Sequence, residues 1–535
     1  MDGKAARALK GGTRTPRLAA AQRSDLVALL GSARRQRLTT EPGVSDTVVL
    51  QAPAGAETGG PEDQALATIA SGDSTSILGG VHLHSTPRLE FLRRQDHAVL
   101  VHANPAARLA LLRNRPGLEA RTAAWLYPQF VRPFVDGLED LRVDADPRRK
   151  ARRIAIVLTS SVDGTPIIGA EVKAFVDLDP GRHVAAVSDA NGVARIVVPI
   201  AFRTIELVFI QPRHTFWSAM RGGFERVAAP RRLSVALRPL IPDAFGFLGH
   251  YATYDERAGA GVTVGIVDSG VGPHRDLQVA GANLVANESD RDNCMDNGLG
   301  HGTHVAGIIA ARRSADGSMF GLAPSCTLRA YRVFPRSGHI DRALSTDVAA
   351  AIERAVADGC DLVNLSLGSR QDMPGVQESL NHARNAGVAV FAATGNDGIE
   401  GIRYPARYSH ALAVGAFGRD GTIPADCPEI LDASTIRNQR EFVAAFSNYG
   451  DATAFVGPGV GVISTFPGDL YAMLSGTSMA TPFATGMAAR LLSCRPDILT
   501  MPRNAARTDA IVALVSGAAR AIFRRPPYEG FGIVQ

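Results

Sequence analysis

Cysteine is scarce in this chain: five in 535 residues, at positions 294, 326, 360, 427 and 494, with no CxxC spacing. That is too few and too dispersed for a disulfide framework, which excludes the small stapled scaffolds. Long apolar runs are lacking as well. The longest near the N-terminus, Leu26-Val-Ala-Leu-Leu30, follows a polar and basic stretch, so neither a membrane span nor a standard secretory leader is predicted. These absences predict a reduced, cytoplasmic location, with secretion by an unrecognised route as the alternative. Charge of one sign is also scant. The net value is +5, and the basic residues are scattered without interleaved aromatics, so neither a nucleic-acid nor a membrane partner is expected.

What is present is apolar material for several cores. Hydrophobic residues make up 45% of the chain, and its length exceeds the ~100–200 residues of one domain, so two to four domains are expected. Residues 1–45 are rich in Arg, Lys, Ala and Gly and include Arg34-Arg-Gln-Arg37. They read as a disordered, solvated tail or, alternatively, as a targeting or processing segment. From 46 to 140 the runs Thr47-Val-Val-Leu50 and His97-Ala-Val-Leu-Val101, with a helical pattern at Pro105–Leu112 before Arg115-Pro-Gly117, predict a small α+β domain.

Residues 152–240 carry short strands with regular turn signals, at 154–158, 170–176, 193–198 and 205–210. Asp163-Gly164 and Asn191-Gly192 supply positions that accept positive φ. A small β-sandwich is predicted there, serving as spacer or as a surface for a protein partner. No catalytic constellation lies within it. From 245 to 535 apolar strands alternate with helical segments, the pattern of an α/β fold with a mainly parallel sheet covered on both faces. Its sites belong at the carboxyl ends of strands, where Asp268 falls.

Four segments carry the chemistry: Val267-Asp-Ser-Gly270, Gly300-His-Gly-Thr-His-Val-Ala-Gly307, Ala392-Ala-Thr-Gly-Asn-Asp-Gly398 and Ser475-Gly-Thr-Ser-Met-Ala-Thr-Pro482. A serine hydroxyl is a poor nucleophile near neutral pH and needs a base, itself oriented by a carboxylate. Ser478, His301 and Asp268 offer that trio. The chain order Asp, His, Ser separates it from the lipase and chymotrypsin arrangements. Ser478 falls where a helix begins, whose free N–H groups favour developing negative charge. Pro482 is expected within the first turn of that helix, where no N–H partner is required.

On these four blocks the region 245–535 resembles the subtilisin-like serine peptidases, the subtilases of peptidase family S8. The resemblance implies a serine endopeptidase that acts on proteins or peptides through an acyl-enzyme. Ser478 would be its nucleophile, His301 its general base and acid, Asp268 the orienting carboxylate and Asn396 a side-chain donor to the oxyanion. No cofactor is implied for the chemistry. The α+β region at 46–140 is weakly similar to the inhibitory prodomains of such enzymes, and the sandwich resembles carboxypeptidase-regulatory or Ig-like modules.

A metal site at His301 and His304 is disfavoured, since the intervening residues lack the glutamate of the HExxH pattern. By resemblance, Ser366, Leu367 and Gly368 line one wall of the first specificity pocket, with Ala392, Thr394 and Gly395 opposite. Arg403 would lie at its base. Pointing inward it would select acidic P1 side chains; snorkelling outward it would leave a broad apolar preference. The acidic loop 287–297 offers Asp290, Asp292 and Asp296 as ligands for a structural calcium, and reads equally well as a solvated polar loop. Cys294 has no identifiable activating partner and is expected to be inert.

Overall fold

The computed structural model describes residues 47–51, 61–70, 89–95, 98–103, 107, 119–122, 124–130, 151–177, 182–202, 204–224, 232–240, 248–314 and 319–535. The basic tail, nearly all of the helical pattern at 105–112 and the Arg115-Pro-Gly turn fall outside them. Two compact units are present. One lies within 132–242 and 420–433, the other within 41–131, 243–419 and 434–535.

The second unit opens with strands β1 (Thr47–Gln51), β2 (Leu89–Gln95), β3 (Ala98–Ala103) and β4 (Glu119–Thr122). They form an antiparallel sheet in the order β2-β3-β1-β4. Helix Pro61–Ala70 contributes buried Leu66 and Ile69. Strand β5 (Trp125–Pro128) stands apart from this sheet and pairs elsewhere.

The first unit holds β6 (Ala151–Ser160), β7 (Glu171–Asp177), β8 (Arg182–Val187), β9 (Val193–Pro199), β10 (Ile205–Gln211), β11 (Ala219–Phe224) and β12 (Arg232–Leu237). Sheets β11-β10-β7-β8 and β12-β6-β9 share one core. Ile156, Leu158, Ile196 and Val235 from one meet Val172, Ala174, Val208 and Ile210 from the other, the alternation a two-sheet sandwich requires. Gly164 and Gly192 take the expected positive φ, 73° and 72°.

The same unit takes in residues 420–433 from far along the chain: Met220 donates its N–H to the Asp426 carbonyl (2.6 Å), and Arg221 pairs with the Asp426 carboxylate. Beneath them Cys427 Sγ donates to Glu429 Oε2 (2.6 Å), and Ser218 Oγ lies 3.4 Å from both Glu429 oxygens.

In the second unit, β13 (Thr263–Asp268), β14 (Val279–Asn283), β15 (Thr327–Arg332), β16 (Ala343–Leu344), β17 (Leu362–Leu365), β18 (Leu367–Gly368), β19 (Ala389–Ala393) and β20 (Ala411–Arg419) follow in sequence. The main sheet runs β14-β15-β13-β17-β19-β20 with parallel pairing throughout this stretch. It continues through Thr453–Pro458 to Ile533–Val534 and the antiparallel edge Ala519–Arg520. Helices Ser345–Ala357 and Pro374–Asn385 cover one face: Val348, Ile352, Val376 and Leu380 share a core with Val267, Val363, Leu365 and Val390. Neighbouring residues point to the opposite face, where Thr485 of helix Thr477–Ser493 donates to Asn364 Oδ1 (3.0 Å). Strand order reverses beside β13, so a crevice opens at the carboxyl end of that strand.

Burial pushes the Glu429 carboxyl up to about 7. The folded chain therefore holds a proton there that the unfolded chain has lost, in the window between the ordinary carboxylate value and about 7. Stability from this group is fully present below that window and is lost as pH rises through it. We expect hydrogen-exchange protection across residues 151–240, corrected for the intrinsic pH dependence of amide exchange, to fall between about pH 4.5 and 7, and Glu429→Gln to flatten that fall.

Candidate active site

Asp268 is the last residue of β13, and His301 is the first of helix His301–Ala310, in which every residue is buried. His301 Nδ1 lies 2.7 Å from Asp268 Oδ1, and each side chain is only 1% exposed. The carboxylate accepts the Nδ1 proton, which leaves the lone pair on Nε2. His301 Nε2 is buried with no hydrogen-bond partner among the described residues. The approach depends on Gly302, because a Cβ there would collide with the Gly270 carbonyl and sit 3.1 Å from Asp268 Cβ. His304 is enclosed, with Nε2 3.1 Å from the carbonyls of Val462 and Ala472, and burial pushes its imidazole down to about 3.

Ser478 is the second residue of helix Thr477–Ser493 and is fully buried. Its Oγ donates to the Ser366 carbonyl (2.8 Å). The expectation for Pro482 is corrected. The helix starts at Thr477, so Pro482 lies in its second turn and cannot donate to the Ser478 carbonyl four residues back. Ser366 Oγ donates to that carbonyl instead (2.9 Å), and Asn364 Nδ2 donates to Ser366 Oγ (2.9 Å).

Asn396 follows β19. Its Oδ1 accepts from the backbone N–H and the hydroxyl of Thr477, both at 2.9 Å, which fixes the orientation of the amide. Nδ2 is left buried with no acceptor among the described residues. It borders the space in front of Gly476, 3.2 Å from where a Cβ on that glycine would stand.

Strand β5 runs through the crevice. It pairs antiparallel with β18 on one side (Leu367↔Pro128, Gly368↔Tyr127) and with β16 on the other (Ala343↔Leu126, Leu344↔Trp125). Just beyond it, Gln129 donates its N–H to the Ser366 carbonyl (3.0 Å), and Ser478 donates its N–H to the Gln129 carbonyl (2.8 Å). The Phe130 ring stands 5.3 Å from the His301 ring. Ser366, Leu367 and Gly368 thus touch peptide backbone. Ala392 lies in β19, Thr394 is buried, and Gly395 donates its N–H to Thr477 Oγ1 (3.3 Å). The sequence gives no local sign that 125–130 enters the crevice.

Of the two readings of Arg403, the one that sends it outward into solvent is corrected. Its guanidinium neither meets solvent nor stands as an uncompensated cation: it is 6% exposed and grips Asp397 with Nε and Nη2, each at 2.7 Å. Asn448 Nδ2 also donates to Asp397 (3.0 Å). Burial pushes the Asp397 carboxyl up, but the Arg403 hydrogen bonds and charge outweigh it and hold the group below the ordinary carboxylate value. Asp397 adjoins Asn396, so the ion pair braces the loop that presents the amide. Sequence reading missed Asp397; an acid six residues before Arg403 in a glycine-rich loop was the available signal.

At the candidate calcium loop, among the described residues no group of three or more acidic, His or Cys side chains converges to hold a metal. Asp290 accepts from Asn283 (2.7 Å) and faces Arg332 and Arg336, while Glu288 pairs with Arg332 (2.7 Å). Asp292 is exposed. Asp296 accepts the N–H groups of Gly298 and Gly300 (2.8 Å each) and the Ser269 hydroxyl (2.9 Å), tying the start of the His301 helix to the Asp268 turn. Cys294 is buried, and that burial raises its thiol.

Against known proteins, the sequence profile of the Subtilase family matches residues 259–519. Subtilisin BL of Lederbergia lenta is 40% identical over 239 residues, 44% of this chain and 78% of that protein. A thermostable alkaline protease of Halalkalibacterium halodurans is 37% identical over 272 residues, 50% of this chain and 67% of the relative. M-protease of Shouchella clausii is 40% identical over 239 residues, 44% and 56% respectively. The cytoplasmic location expected from the sequence is corrected: the relatives that the chain matches are subtilisins and alkaline proteases, and they do not support it. No helix among the described residues is long and apolar enough to cross a membrane. With an α/β sheet of this order and such identity across most of a subtilisin, the chain belongs to the subtilase family.

Proposed function

We propose that this chain is a serine endopeptidase that hydrolyses peptide bonds of proteins through an acyl-enzyme. The observation that carries the reading is the buried 2.7 Å bond from His301 Nδ1 to Asp268, with Nε2 unpartnered toward the crevice. Ser478 Oγ turns from the Ser366 carbonyl, gives its proton to His301 Nε2 and attacks the substrate carbonyl carbon. Asp268 keeps the imidazole in one tautomer and stabilises the imidazolium. The carbonyl oxygen gains negative charge beside the Ser478 N–H and Asn396 Nδ2, two donors already oriented before reaction. His301 returns its proton to the leaving amine, and water then hydrolyses the ester with His301 as base again. Substrates would pair as an added strand between β16 and β18.

Ser478→Ala should abolish both labelling by a fluorophosphonate probe and casein hydrolysis. Wild type that neither labels nor cleaves would end this reading. Asn396→Ala should lower kcat by about 10²–10³ with a smaller change in KM; that figure is known for subtilisin itself and is carried over here.

Because Asp397 already compensates Arg403, a cation is not left for an acidic substrate side chain. Peptide libraries should show no enrichment of Asp or Glu at P1, and enrichment there would contradict the assignment. Arg403→Met should destabilise the fold by about 1–3 kcal/mol in denaturant titration, since Asp397 loses its two shortest hydrogen bonds and keeps only Arg370 (3.3 Å) and Asn448 (3.0 Å).

A further inference from the structure

We propose that Ser269 is a positioning residue of this active site: its hydroxyl caps the helix that starts at His301, while its own N–H holds the Asp268 carboxylate. The inference rests on the endopeptidase reading and adds to it the group that sets the spacing of the acid and the base.

The first N–H groups of a helix have no partner within it, and a side chain at the N-cap usually supplies one. Helix His301–Ala310 cannot use that device. Its N-cap is Gly300 at φ 77°, with no side-chain bond, and a Cβ there would lie 2.1 Å from the Phe466 ring. Because the general base is the first residue of this helix, a loose first turn would displace the imidazole itself. Ser269 supplies the cap from 33 residues upstream: Gly302 donates its N–H to Ser269 Oγ at 2.9 Å.

A serine hydroxyl accepts in a fixed orientation only when its own proton is committed elsewhere. Asp296 commits it. Ser269 Oγ donates to Asp296 Oδ2 (2.9 Å), and Thr303 Oγ1 approaches the same oxygen (3.3 Å). Asp296 is held in turn, since its Oδ1 accepts the N–H groups of Gly298 and Gly300 (2.8 Å each).

The main chain of Ser269 completes the link. Its N–H donates to Asp268 Oδ1 (2.6 Å), its carbonyl accepts the Asn297 N–H (2.9 Å), and the residue is fully buried. Asp268 Oδ1 is also the oxygen that His301 Nδ1 meets at 2.7 Å, while Oδ2 has no partner among the described residues. One residue thus joins strand end to helix start twice, once at the carboxylate and once beside the imidazole. Removing its hydroxyl strands the Gly302 N–H and takes a donor from Asp296, yet deletes no group that touches substrate. Binding should persist while the chemical step suffers, because proton transfer from Ser478 needs His301 Nε2 in place.

The test is steady-state hydrolysis of a quenched fluorescent peptide by the full chain, with active sites counted by fluorophosphonate titration. Ser269→Ala should lower kcat per labelled site by roughly ten- to a hundredfold with KM nearly unchanged, and Ser269→Thr, which keeps the hydroxyl, should recover most of it. The low-field proton NMR signal of His301 Nδ1–H should shift in Ser269→Ala. Asp296→Asn keeps the acceptor for Gly298 and Gly300 but cannot take the Ser269 proton at both oxygens; it should lower kcat in the same direction, and the double variant should cost no more than Ser269→Ala alone. Val515→Ala, at a buried position of helix Ala505–Gly517, controls for lost stability and should leave kcat per labelled site unchanged. Wild-type kcat and an unmoved low-field signal in Ser269→Ala, a rise in KM alone, or an equal loss of kcat in Val515→Ala overturns this inference and leaves the endopeptidase reading standing. Should Ser269→Ala fail to fold, Asp296→Asn decides, and an unaltered kcat there overturns it as well. A wild type inert toward both probe and peptide overturns both.

Discussion

A parallel sheet sealed by helices on both faces leaves its strand ends as the place where polar chemistry can meet solvent and substrate. That constraint organises the second unit. β13 delivers Asp268 at its carboxyl end, β17 leads into Ser366 and β18, and β19 leads into Asn396. The helices beginning at His301 and Thr477 point their first residues at the same region. Apolar packing sets the strand positions, and the functional groups inherit their spacing from it.

Within that frame, groups that secondary structure leaves without partners satisfy one another. Pro482 removes a helix hydrogen bond from the Ser478 carbonyl, and Ser366 supplies the replacement. Thr477 is the first helical residue, and Asn396 accepts its N–H. In satisfying these groups the structure fixes the carbonyl of Ser478, the proposed nucleophile, and leaves Asn396 Nδ2 as a spare donor. Buried polar groups normally find partners, so a spare one facing a crevice is informative.

The alternation of strands and helices from 262 onward was legible, because apolar runs with the right periods carry that information locally. So were Asp268, His301, Ser478 and Asn396, from motif order. The boundary at Thr477 was not, because the acceptor that starts the helix comes from 81 residues away. The partner of Arg403 was missed for a related reason: a family-based position says where a side chain begins, not which carboxylate it finds. β8, with Arg182 and His183 in Arg-His-Val-Ala-Ala-Val, lacks the apolar run that marked β7 and β10. Residues 420–433 join the sandwich through long-range contacts that leave no local pattern. β5 was hidden most completely, since its role in the crevice comes from main-chain hydrogen bonds that most residues could make.

The free cysteines carry a practical consequence. Burial raises the thiols of Cys294, Cys326, Cys360 and Cys427, whereas Cys494 is exposed. It caps the carboxyl end of the helix whose second residue is Ser478. At 1.5 Å per residue the two stand roughly 24 Å apart along one rigid rod. A maleimide dye should therefore attach first at Cys494, ahead of the partly exposed Cys326, at a fixed distance from the proposed nucleophile and without any engineered cysteine.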